Sequence, residues 1–172
     1  MFRTEIVDGH VTVEPGRGGA QQAIGEQRSQ GIELSATGSI TDQWDVFAGY
    51  SYIDSEIIDA GPINADQEGN KLPNTPEHSL SLWTTYDILP RLTLGGGANY
   101  LSERFGNTAN TKSVDSYWRY DAMAAYEVTE NIEFQLNVNN LTDERYYERV
   151  YTTHMATIAP GRSIVGSLKF KF

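Results

Sequence analysis

Gly161-Arg-Ser-Ile-Val-Gly-Ser-Leu-Lys-Phe-Lys-Phe172, directly after Pro160, is the stretch that decides how the chain is read. It alternates. Ile164, Gly166, Leu168, Phe170 and Phe172 share one face, and Ser163, Val165, Ser167, Lys169 and Lys171 share the other. Period two is the signature of a strand. Chain ends are normally frayed and polar, yet this strand stops on its apolar face at Phe172. A transmembrane β-barrel has a use for such an ending: the last strand closes the sheet, with one face on lipid and the other on a wet lumen. A half-buried C-terminal strand of a soluble sheet alternates in the same way, so this segment alone leaves both readings open.

The pattern recurs upstream. Ile32, Leu34, Ala36, Gly38 and Ile40 oppose Glu33, Ser35, Thr37 and Ser39. After Thr41-Asp42-Gln43, the residues Trp44, Val46, Ala48, Tyr50 and Tyr52 form an apolar face, with Phe47 and Ile53 out of pattern. Leu80 to Ile88 and Leu92 to Tyr100 alternate on either side of Leu89-Pro90-Arg91, and Trp118 to Val128 and Ile132 to Val138 do so around Thr129-Glu130-Asn131. Residues 26–172 thus read as seven strands, and residues 2–25 as a weak strand plus a loop around Pro15-Gly-Arg-Gly-Gly19. Short turns alternate with long polar loops, Asp59 to Thr75 and Gly106 to Asp115. Sorting short turns to one end and long loops to the other belongs to transmembrane barrels. Trp44, Tyr50, Tyr52, Tyr86 and Tyr100 fall near strand ends, where amphipathic rings meet the lipid–water boundary. A soluble sheet explains the alternation but not the loop sorting, the ring placement and the terminal Phe together. The expected fold is all-β, an antiparallel transmembrane β-barrel. Seven strands leave two open edges, which lipid does not tolerate because their backbone groups stay unsatisfied. Either residues 2–14 supply an eighth strand and a small barrel closes, or the chain belongs to a larger one.

The totals narrow the function. No cysteine is present, which removes disulfides, thiolate metal sites and cysteine nucleophiles. A net charge of -10 argues against a nucleic-acid partner, which needs a basic footprint. Mean hydropathy is -0.45, and no run approaches the roughly 18 apolar residues of a membrane helix. Barrel strands escape that test because alternation hides their hydrophobicity. No apolar core follows Met1-Phe-Arg-Thr-Glu, so no signal peptide is read. Either the sequence is part of a longer chain or the membrane reading fails. His10, His78 and His154 lack ligand spacing, and Gly95-Gly-Gly97 lacks the Gly-Lys-Ser/Thr of a phosphate loop. No Ser/His/Asp arrangement is discernible. The expectation is a chain that is not an enzyme and holds neither a metal nor a resident cofactor.

Five segments resemble TonB-dependent ferric-siderophore receptors, in that family's order: Gly25-Glu-Gln-Arg-Ser-Gln-Gly31-Ile-Glu-Leu34, Gly49-Tyr-Ser-Tyr-Ile-Asp54-Ser55, Lys71-Leu-Pro-Asn-Thr-Pro76-Glu-His-Ser79, Asn137-Val-Asn-Asn-Leu-Thr-Asp143-Glu-Arg-Tyr-Tyr147, and Pro160-Gly-Arg162 with the strand ending in Phe172. The catecholate branch is nearest, with hydroxamate receptors close behind. The resemblance implies a 22-stranded outer-membrane barrel around a plug, of which residues 1–172 supply the last seven or eight strands. The plug and the TonB-contacting segment lie outside these residues, so this portion alone is not expected to transport. The ligand implied is a ferric siderophore. The other partners implied are outer-membrane lipid, the barrel-assembly machinery through Phe170 and Phe172, and the TonB complex through the missing N-terminal part. A small self-closed eight-stranded barrel with a structural or adhesive role and a soluble β-sandwich binding module remain the alternatives.

A ferric catecholate is anionic and aromatic, which suits arginine and aromatic rings. Such residues cluster after the penultimate strand as Arg145, Tyr146, Tyr147, Arg149 and Tyr151, and Arg104 and Phe105 end another strand on the loop side. Arg104, Phe105, Arg145, Tyr147, Arg149 and Tyr151 are the candidate ligand contacts. Asn139-Asn140 breaks the alternation as a bulge would. Arg28 and Glu33, five residues apart, fall on opposite faces and are not expected to pair.

Overall fold

A computed structural model describes residues 2–7, 10–11, 22–23, 25–151 and 155–171, with side chains for 25–150 and 155–171. Its strands are β1 (Phe2–Val7), β2 (His10–Val11), β3 (Gln22–Ala23), β4 (Glu26–Thr41), β5 (Trp44–Asp59), β6 (His78–Leu89), β7 (Leu92–Leu101), β8 (Arg104–Phe105), β9 (Ser113–Val114), β10 (Tyr117–Thr129), β11 (Ile132–Asn139), β12 (Tyr147–Tyr151), β13 (Met155–Ile158) and β14 (Ser163–Phe170). A single 3-10 turn, Ala65–Gln67, is the one helical element among the described residues. No described helix is long and apolar enough to cross a membrane.

Eight strands make one antiparallel sheet in the order β1-β4-β5-β6-β7-β10-β11-β14. Each polar turn joins neighbours, and the two-stranded pieces β2–β3, β8–β9 and β12–β13 stand apart from the wall. The sheet is open among the described residues, since β1 pairs with β4 and β14 with β11 but not with each other. This corrects the self-closed eight-stranded alternative. The physical reason is register: β1 covers only Glu26 to Gly31 of β4, so that edge of β4 from Ile32 to Thr41 has no described partner strand.

Registration assembles the alternating faces into rows. On the outward face Leu34, Tyr50, Leu80, Tyr100 and Trp118 are neighbours across five strands. The next row is Ala36, Ala48, Leu82, Ala98 and Tyr120. Below it run Gly38, Val46, Thr84, Gly96, Ala122, Val138 and Ile164. These side chains stand free of any covering layer: Leu34 is 63% exposed and Ile164 66%. Removing a side chain of the size of Leu34 or Ile164 from water contributes about 1.5–3 kcal/mol, and here only lipid can supply that apolar medium. Rings bound the band at both ends. Tyr50, Tyr100, Trp118 and Tyr120 lie toward the long loops, with Tyr100 on Trp118 at 4.9 Å between ring centroids. Trp44, Tyr86, Tyr126, Phe134 and Phe170 lie toward the short turns, and the Trp44 indole N–H donates to Thr84 Oγ1 at 2.7 Å.

The opposite face carries Ser35, Ser81, Asn99 and Arg119 in one row. Its bulkiest apolar interruption is Phe47 beside Trp83. The glycines opposite Trp83 are there to admit it: a Cβ on Gly97 would stand 2.4 Å from the indole and 2.8 Å from the Leu82 carbonyl oxygen.

Beyond Ile32 and Tyr52 the outward face turns charged. Arg28 pairs with Glu56 at 2.5 Å and not with Glu33, Gln30 donates to Asp54 at 3.2 Å, and Lys71 bonds Asp54 at 2.9 Å. This change marks the membrane boundary, so Asp54 and Lys71 lie outside the spanning segments. The hydrogen bonds from Lys71 and Gln30 hold the Asp54 carboxyl below its ordinary pKa of 3.8. The same bond to Asp54 raises Lys71 above 10.5.

Two outcomes follow from this layout. Ala36→Arg, on the outward face at mid-band, is expected to destabilise the lipid-embedded barrel by about 2–4 kcal/mol in a urea titration, and its neighbour Ser35→Arg on the inner face by much less. Equal losses would contradict the facing. The Asp54–Lys71 clamp stabilises above the ordinary Asp value and is lost as pH falls through the lowered one; for Lys71 it is present below 10.5 and lost as pH rises through the raised value. A spin label on Ala65→Cys should therefore stay equally immobile between those limits and loosen outside them, with Asp54→Asn abolishing the acid limb.

Candidate functional site

A wall one sheet thick buries little. The buried apolar residues described, Ile57, Val114, Tyr146, Val150 and Ala159, all lie at the long-loop end, which is the extracellular end of a transmembrane barrel. There the connections fold onto one another and onto the inner face of the wall.

Asparagines in left-handed conformation hold that cap together. Asn140, at φ 54° and 2% exposed, directly follows β11 and sits as a bulge would, since the next N–H, that of Leu141, still reaches the Tyr120 carbonyl at 2.7 Å. Its backbone N–H donates to Asp121 Oδ1 at 2.8 Å. Its side chain accepts from the Glu144 N–H at 2.9 Å and donates to the Glu144 carbonyl at 2.9 Å. Only a residue tolerating positive φ and carrying both a donor and an acceptor fits this point. Asp143, also left-handed at φ 55°, accepts from the Arg162 N–H at 2.8 Å. A Cβ on Gly161 would lie 2.9 Å from that carboxylate oxygen, so the two C-terminal motifs are physically joined here. Asn110 does similar work elsewhere: it accepts from the Lys71 N–H at 2.8 Å and donates to the Lys71 carbonyl at 2.9 Å.

Inside this cap lies a cluster of rings and guanidinium groups. Tyr117 and Tyr146 stack at 4.0 Å between centroids. Arg119 reaches the Tyr146 hydroxyl at 3.5 Å and forks onto Asp121 at 2.9 and 3.1 Å. Arg104 lies 5.8 Å from the centre of the Tyr117 ring and donates to the Tyr147 carbonyl at 2.6 Å. Tyr117, Arg119 and Asp121 are alternate residues of β10, so they share the inner face by strand geometry.

The candidate contacts divide. Arg104 is 4% exposed and anchors β12 from below. Phe105 lines a hollow of about 340 Å³ with Lys71, Glu77, His78 and Glu103, where two carboxylates oppose one ammonium and disfavour an anion. Arg145, Tyr147 and Arg149 are exposed at and beside the β12–β13 hairpin. Tyr151 pairs its backbone with Met155, and its side chain lies outside the described residues. Phe170 stands outward in β14 opposite Ile132, whereas Phe172 lies outside the described residues. Tyr117 and Arg119 were not among the candidates. Their signal was present in the inner face of Tyr117-Trp-Arg-Tyr-Asp121, but only the fold shows Tyr146 reaching them. No group of three or more His, Asp or Glu able to hold a metal occurs among the described residues.

Known proteins match the whole arrangement. The family described as TonB dependent receptor-like, beta-barrel, covers residues 1–141. The probable TonB-dependent siderophore receptor PiuA of Acinetobacter baumannii is 45% identical over 100% of this chain, which spans 24% of that relative. The catecholate siderophore receptor Fiu of Escherichia coli K12 is 34% identical over 85% of this chain and 19% of its own length. In structure, the PiuA receptor superposes with a TM-score of 0.92 at 44% identity over 99% of this chain and 25% of its own. Fiu in its closed form gives 0.79 at 30% identity over 99% of this chain and 24% of its own. The chain therefore spans about a quarter of the PiuA relative's length. A one-layer, lipid-facing wall and a family match over most of its length agree: this chain belongs to the TonB-dependent receptor β-barrel family of the bacterial outer membrane.

Proposed function

We propose that the chain forms part of the wall and extracellular mouth of an outer-membrane receptor for ferric siderophores of the catecholate type. The observation that carries this is the mouth chemistry. Arg119 meets a stacked Tyr117–Tyr146 pair, and Arg145, Tyr147 and Arg149 are exposed beside it. Guanidinium groups answer the negative charge of a ferric catecholate, and tyrosine rings answer its aromatic rings. Two relatives, PiuA and Fiu, bear siderophore receptor in their names, which supports the same class.

In this reading Arg145, Tyr147, Arg149 and Tyr151 touch ligand, Arg104 supports them from beneath through the Tyr147 carbonyl, and Phe105 lines the hollow beside Glu77 and Glu103. The ferric ion arrives inside its siderophore as cargo and needs no protein ligand. Outer-membrane lipid covers the outward face. The C-terminal strand with Phe170 and Phe172 engages the barrel-assembly machinery, and the TonB complex acts through a part of the receptor outside this chain. Residues 1–172 alone do not transport.

The test is fluorescence titration of the complete receptor. A ferric catecholate should quench tryptophan saturably, and Arg145→Gln with Arg149→Gln should weaken binding at least about tenfold, as loss of charged hydrogen-bond donors does. Absence of saturable quenching, or equal affinity for an uncharged ferric hydroxamate, contradicts the catecholate reading.

A further inference from the structure

We propose that Asn74 is a positioning residue for the ligand-facing hairpin β12–β13, an inference that rests on the receptor reading above. Asn74 lies far from the hairpin in sequence, in the loop before β6, within the Lys71–Pro76 motif. Its backbone is left-handed at φ 54°. Its N–H donates to the Phe105 carbonyl at 2.8 Å. The side-chain amide then takes both backbone groups of one residue of β12. Its Oδ1 accepts from the Val150 N–H at 2.9 Å, and its Nδ2 donates to the Val150 carbonyl. A single side chain thus does for Val150 what a neighbouring strand does in a ladder.

Arg104 supplies the second grip, three residues back, by donating to the Tyr147 carbonyl at 2.6 Å. Between the grips the strand changes register, with Tyr147 opposite Ile158 and Arg149 opposite Thr157. A two-stranded hairpin with an irregular register is marginal by itself. This one is fixed by groups 76 and 43 residues away. Val150 is 5% exposed and seats the strand, so Tyr147 and Arg149 project from a held backbone. Holding a binding element before the ligand arrives lowers the ordering cost of binding. Asparagine suits the position because it accepts positive φ and offers one donor and one acceptor. Glycine keeps the turn and loses the grip. Aspartate keeps the turn and the acceptor but sets a carboxylate against the Val150 carbonyl.

The test uses the complete receptor in detergent, with Asn74→Gly and Asn74→Asp. Amide exchange in the peptide covering residues 147–151 should rise in Asn74→Gly while exchange in β10 and β11 stays at the wild-type rate. Ferric catecholate binding should weaken about five- to tenfold, mainly through faster dissociation, with Asn74→Asp intermediate. A double-mutant cycle reads what a merely structural role would not move: if Asn74 acts through the hairpin, Asn74→Gly and Tyr147→Ala lose less together than the sum of their separate losses. Unchanged exchange at 147–151 overturns the clasp. Raised exchange with unchanged affinity, or fully additive losses, overturns the positioning role. If wild-type receptor binds no ferric catecholate, the receptor reading fails and the positioning role with it, while the exchange result still reports whether the clasp exists.

Discussion

Everything in this chain depends on one constraint: a sheet one layer thick must satisfy every backbone group while showing an apolar face to its surroundings. In water that face would be a large unprotected patch, and in lipid it is the stable arrangement. The same constraint governs the edges. β1 leaves its ladder at Gly31, and the part of β4 that lies in the apolar band, from Ile32 onward, needs another strand to take its N–H and C=O groups. β14 has the same need on its far side. A wall with two such edges is stable in a membrane only within a larger closed barrel. That agrees with relatives of which this chain spans about a quarter.

The wall's thinness also explains where compact packing occurs. Apolar side chains that would fill a core in a sandwich are committed to lipid, so burial moves to the extracellular cap. There Val114, Tyr146, Val150 and Ala159 gather under the loops. Left-handed asparagines and one aspartate tie the segments: Asn140 to Glu144, Asn74 to Val150, Asn110 to Lys71, and Asp143 to Arg162. Residues of the motifs that carry the family resemblance recur in these ties: Lys71, Asn74, Asn140, Asp143, Glu144 and Arg162. Arg28, Asp54 and Lys71 come from three of those motifs: Arg28 pairs with Glu56, and Asp54 takes hydrogen bonds from Gln30 and Lys71. Their chemistry is scaffold chemistry, which leaves the ligand surface to the more exposed arginines and tyrosines.

The wall was legible in the sequence because period-two alternation is local. Each of the segments from Ile32 to Ile164 announces its own outward face, and the rings at strand ends announce the boundary. The cap was less legible because its ties join residues far apart in the chain. Arg104 reads as a contact from composition, yet burial makes it an anchor. Asn140 reads as a bulge, and only the fold shows that its side chain also ties the following loop at Glu144. Tyr117 and Arg119 were not among the candidates, because only the fold brings Tyr146 onto them. Phe47 reads as an interruption until it is seen beside Trp83, for whose indole Gly95 and Gly97 make room.

The most direct test of the account is a cysteine scan of β11, which is paired on both sides and belongs to a chain with no native cysteine. Spin labels placed singly at positions 132–138 of the complete receptor, with any cysteine outside this chain replaced, would be read in lipid vesicles for collision with oxygen dissolved in the bilayer and with a water-soluble nickel chelate. The account requires strict alternation: labels at Ile132, Phe134, Leu136 and Val138 favour oxygen, and those at Glu133, Gln135 and Asn137 favour the chelate. Loss of the alternation, or its inversion, would mean that the apolar face does not meet lipid.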